Sequence, residues 1–108
     1  MTDRELIELA AKATGIKGWW ETEYLSFIKC EGGPWDPLID DGDAFKLIVV
    51  LKLTVVVESD MVFCRNQMTD EAFSEQGADT YAATRRAIVR AAAEIGKTKD
   101  GSYSSNGK

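Results

Sequence analysis

Leu53-Thr54-Val55-Val56-Val57-Glu58 is β-branched and apolar on both faces, and this double apolarity decides how the rest of the chain is read. A strand of that kind suits the middle of a sheet with layers packed on each side. Ser59-Asp60 makes a short turn, and Met61 to Arg65 return as the antiparallel partner. After a polar loop, Ala72 to Gln76 add a weaker edge strand, where Glu71 and Glu75 discourage unwanted pairing.

The flanks of this hairpin are helical. With Asp40 as N-cap, Asp43 falls at the third helical position, where a carboxylate reaches back to the cap amide. Ala44, Leu47, Ile48 and Leu51 form a core stripe. Phe45 and Val49 make a flanking ridge and Val50 sits at the back, leaving Lys46 as nearly the only polar residue. A helix apolar almost all round is covered on more than one side. Downstream, a further helix begins near Asp79 and runs to about Ile95. Tyr81, Thr84, Ile88, Ala91, Ala92 and Ile95 share one face, with Arg86 and Arg90 pointing the other way. Gly96 is the expected stop, and residues 97–108, without apolar periodicity, read as a flexible tail.

Nearer the start, Thr2 and Glu5 have the spacing of a capping box, ahead of Leu6, Leu9, Ala10 and Ala13 at helical period; Gly15 ends the helix. Trp19 to Cys30 is rich in aromatic and apolar residues, but its alternation is imperfect. One strand is expected within 20–30, before Gly32-Gly33-Pro34 breaks the pattern. The order is helix, strand, helix, hairpin, edge strand, helix. It predicts one α+β domain over residues 1–96, with about three helices and a small antiparallel sheet of three to four strands.

Length and composition fit this. A chain of 108 residues, 44% apolar and 29% charged, makes one ordinary core without staples. The sequence contains no histidine, and Cys30 and Cys64 form no CxxC pair, so the usual transition-metal sites cannot be assembled. Both cysteines read as small buried hydrophobes. The polar, acidic N-terminus and the lack of a long apolar run point to the cytoplasm and to no membrane partner. A net charge of −5 opposes nucleic-acid binding.

Two stretches carry a resemblance. Pro34-Trp35-Asp36-Pro37-Leu38-Ile39-Asp40-Asp41-Gly42-Asp43-Ala44, continuing through Leu47 to Leu53, is similar to the phage ABA-sandwich domain family, as is Ala82-Ala83-Thr84-Arg85-Arg86-Ala87-Ile88-Val89-Arg90-Ala91-Ala92. The resemblance spans about a third of the chain. It implies a phage or prophage protein with a three-layer α/β/α sandwich, and transfers no catalytic or binding residues.

Three groups are candidate surfaces. Asp36, Asp40, Asp41 and Asp43, with Glu31, put five carboxylates in 13 residues without one base. Such oxygens suit a hard divalent cation, but the spacing misses the twelve-residue calcium loop, and helix capping accounts for them first. Arg86 and Arg90, one helical turn apart beside Arg85, can grip phosphate or carboxylate, or simply be solvated. Trp19, Trp20 and Trp35 are either binding anchors or a lid over the Phe45–Val49 ridge, and the lid is the expectation. Gly96-Lys97-Thr98 lacks the glycine and following helix of a phosphate loop. No nucleophile elbow or Cys–His pair is present. These features lead to a non-enzymatic accessory module without a cofactor, a monomer or weak homodimer that binds an unknown host or phage protein. The alternatives are a small-molecule or divalent-metal domain on the acidic loop 36–43, and a homo-oligomeric structural component built on the ridge.

Overall fold

The computed structural model describes residues 1–99. Its elements are α1 (Asp3–Thr14), β1 (Gly18–Glu21), β2 (Ser26–Lys29), β3 (Gly33–Trp35), α2 (Asp41–Leu51), β4 (Leu53–Val57), β5 (Val62–Asn66), β6 (Ala72–Glu75) and α3 (Thr80–Lys99). The strands make two antiparallel three-stranded sheets, β1-β2-β3 and β4-β5-β6, and with the three helices they form a small α+β sandwich.

Local chemistry sets both ends of α1 and the start of α2 where the sequence places them. The Thr2 amide donates to Glu5 Oε1 at 2.9 Å and the Glu5 amide to Thr2 Oγ1 at 3.1 Å, a closed capping box. Gly15 ends α1 at φ 79°, a left-handed position that favours glycine. Asp40 caps α2 by accepting from the Asp43 amide at 2.9 Å, but the Asp43 carboxylate does not return to the cap amide as expected: it accepts from the Asp36 amide at 3.0 Å, and the Asp40 amide donates to the Asp36 carbonyl.

Helix α3 is the spine. It packs against α1 and α2 and against all three strands of the second sheet. Small residues from both helices, Ala10 and Ala11 on α1 and Ala87, Ala91 and Ala92 on α3, are buried in one core cluster. Gly96 does not stop the helix, contrary to expectation. It lies inside α3 and is buried where the backbone of Leu9 crosses it, and the helix continues to Lys99. The remainder of the expected tail, 100–108, lies outside the described residues.

Residues 16–38 hold three short strands rather than one. Phe27 pairs across with both Trp20 and Trp35, and the Phe27 and Trp35 rings meet edge to face at 5.9 Å. The first sheet contacts α1, so it does not form the expected lid over α2. Trp35 is buried in the core, Trp20 is half-buried under the Arg4 guanidinium at 5.4 Å, and Trp19 is exposed with its indole N–H directed to Glu21. Strand β4 is likewise displaced from its expected place. β5 is the central strand, β4 is at the edge, and Val56 and Val57 are exposed.

Candidate functional site

The acidic loop is spent on folding. Asp36 Oδ1 accepts from the Leu38 amide at 3.0 Å, Asp43 Oδ2 from the Asp36 amide at 3.0 Å, and Asp40 caps α2. Asp41 pairs with the Arg85 guanidinium at 2.7 Å, and Arg85 Nε donates to the Leu38 carbonyl at 2.8 Å. Burial pushes the Asp36 carboxyl above its ordinary value, opposed by hydrogen bonds from the Leu38 and Ile39 amides and reinforced by Asp3 and Asp43. The four aspartates therefore face backbone amides and a guanidinium rather than one point. Among the described residues, no three His, Cys, Asp or Glu side chains are grouped to hold a metal ion.

The arginine stripe is also engaged. Arg86 pairs with Asp3 at 3.0 Å, tying α3 to the first turn of α1. Arg90 lies over the Phe73 ring at 5.3 Å, and its Nη1 donates to Glu75 at 2.6 Å and to the Ser74 carbonyl at 3.0 Å. These contacts make both arginines half-buried fasteners rather than an open grip for an anion.

Without a lid, the Phe45–Val49 ridge stands open, with Phe45 62% exposed. It flanks a groove of about 560 Å³. Helix α2 and strand β4 diverge from the tight left-handed turn at Lys52, and the N-terminal half of α3 floors the gap. Phe45 and Ile48 form one wall, Val57 the other, and Tyr81, Thr84 and Ile88 the floor, with the Arg85–Asp41 pair closing one end. Tyr81, expected on the core face, is 72% exposed. Its spacing from Ile88 does put it on the same stripe, but the stripe extends past the edge of the core. Of the charged residues that line the groove or adjoin its lining, the carboxylates of Asp40, Asp41, Glu58 and Asp79 are exposed, and the cations Lys46 and Arg85 stand among them.

A larger cleft of about 690 Å³ runs along the outer side of α1 to Trp19, but Glu5, Glu8, Lys12 and Lys17 line it with balanced charge. The groove is the more selective surface, because its lining is apolar apart from the Arg85–Asp41 pair at one end.

The cysteines differ from each other. Cys30 is exposed, against expectation, while Cys64 is fully buried on β5 and burial pushes its thiol up to about 11. A thiol reagent added to folded protein is expected to modify Cys30 promptly and Cys64 only after denaturation, as read by peptide mass. Equal labelling of both in the native state would contradict the packing of β5.

No protein-family model, no curated protein and no solved structure matches the chain.

Proposed function

We propose that the protein is a non-enzymatic interaction module whose docking surface is the groove between α2, β4 and α3. The observation that carries this reading is the exposure of Phe45 and Tyr81, two large side chains that line one apolar groove. Exposed aromatic groups beside a concave apolar surface are the residues that dominate binding energy when a partner buries them. Around the groove the carboxylates of Asp40, Asp41, Glu58 and Asp79 outnumber the cations Lys46 and Arg85, and this excess biases the partner's chemistry. An apolar segment flanked by Lys or Arg gains by electrostatic attraction, and an acidic one is repelled.

The phage resemblance of residues 34–53 and 82–92 makes that partner a host or phage protein in this proposal, met in the cytoplasm. No helix among the described residues is long and apolar enough to cross a membrane. The acidic loop lends less support to a metal-binding reading, since each of its four aspartates already has a partner within the chain.

The test is selection of short random peptides on the immobilised protein, repeated on Phe45→Asp and Tyr81→Asp variants. Enriched peptides are expected to carry apolar anchors with basic flanks and to be lost on both variants. Because both side chains are exposed, each variant should keep its unfolding free energy within about 0.5 kcal/mol. Enrichment unchanged in the two variants, or none at all, would refute the groove as a docking surface.

A further inference from the structure

The two outer edges of the second sheet are treated differently. On β6, the Ser74 carbonyl is taken up by Arg90 at 3.0 Å, and Glu75 beside it carries charge. Among the described residues, β4 has no such cover. The Glu58 amide donates to the Met61 carbonyl at 2.8 Å, which fixes the ladder: residues 54, 56 and 58 turn their backbone groups toward β5. Val55 and Val57 therefore turn theirs outward, and nothing among the described residues bonds them there. Residues 53–57 contain no proline, no charge and no bulge, the devices by which proteins blunt an edge.

The charges that flank this edge are self-complementary. Lys52 precedes the strand and Glu58 follows it, and both are exposed. In an antiparallel pair centred on Val55, Leu53 faces the second copy's Val57, and Lys52 faces the second copy's Glu58. Two-fold symmetry repeats that opposite-charge pair at the other end. The same register sets outward-facing residues 53, 55 and 57 against one another, which is the arrangement that forms backbone hydrogen bonds. Because the two-fold axis is perpendicular to the sheet, both helical layers fall on one side of it.

We propose that the protein forms a homodimer by antiparallel pairing of β4 with β4 of a second copy, centred on Val55 and bracketed by two Lys52–Glu58 pairs. The joined sheet has six strands. The edge pairing does not depend on what the groove binds.

Sedimentation velocity over a concentration series reads the dimer directly. The wild type is expected to show a monomer–dimer equilibrium. Lys52→Glu and Glu58→Lys each replace two attractions with two repulsions, and each should raise the dissociation constant by about tenfold. The double variant Lys52→Glu/Glu58→Lys should return it to the wild-type value. Val57→Pro removes an outward N–H without touching the β4–β5 ladder, and should leave only monomer. Tyr81→Asp, which alters the groove floor alone, should dimerise like the wild type while losing its selected peptides. A monomer at every concentration overturns the proposal and leaves the groove's peptide binding as a separate question. A dimer indifferent to the single charge changes, or a double variant that is not restored, overturns the register.

Discussion

Replacing Gly96 with valine is expected to lower the unfolding free energy by on the order of 4 kcal/mol, and with alanine by about 2 to 3 kcal/mol. A Cβ built at Gly96 would lie 2.7 Å from the carbonyl carbon of Leu9 and 3.2 Å from its Cα, with the carbonyl oxygen closer still. These are backbone atoms of α1, so the clash is relieved only by moving a whole helix. That helix is held by Leu6, Ile7, Ala10 and Ala11 in the core and cannot move alone. In an exposed helix interior the same Gly→Ala change stabilises by about 1 kcal/mol, so the crossing reverses the sign. Thermal melts should fall by roughly 10 °C or more for alanine and further for valine. Gly77, with nothing within 4 Å of its built Cβ, is the control whose alanine variant should melt normally. A Gly96→Ala protein at least as stable as the wild type would mean that α1 and α3 do not cross there.

Gly96 also illustrates what the sequence carries and what it leaves out. Its position after a helical run is the signature of a stop, and only the passage of Leu9, far away in the chain, makes it a crossing point instead. Signals that act within one turn were legible: Thr2 with Glu5, Asp40 as the cap of α2, and the Ser59-Asp60 turn between β4 and β5, whereas the Asp43 carboxylate reaches past the cap to the Asp36 amide. The first sheet was legible only as a single strand, because strands of three and four residues offer too few alternations. Their register depends on Phe27 meeting Trp35, a contact across strands.

The candidate site follows the same division. Phe45 and Val49 stand out in the sequence as apolar positions beyond the core stripe. Whether they are covered depends on where residues 16–38 go, and those residues pack on α1. Likewise β4 has the composition of a central strand, but strand order is a property of the whole sheet. The aspartates of the acidic loop look like a site because carboxylates attract attention. Arg85 neutralises Asp41 from 44 residues away, a link that no local pattern announces.

The three tryptophans give the second large effect, and they separate what the sequence groups together. Trp35→Ala is expected to cost about 3 to 5 kcal/mol, since its ring is 3% exposed and removal leaves a cavity between the first sheet and the core. Phe27 loses its edge-to-face partner in the same change, and β3 has only three residues with which to hold its place. Trp19→Ala should cost less than about 0.5 kcal/mol, because half of that side chain already meets water. Chemical denaturation followed by tryptophan fluorescence and by circular dichroism tests both. In the wild type the buried Trp35 should make the emission shift red in step with the loss of helix signal. In Trp35→Ala, if the first sheet depends on that ring, Trp20 emission should shift red at lower denaturant than the helix signal falls. Coincident transitions at nearly the wild-type midpoint would mean that Trp35 does not join the first sheet to the core. A large loss from Trp19→Ala would mean that β1 is covered by something other than solvent, and would restore the lid that its neighbours on α1 argue against.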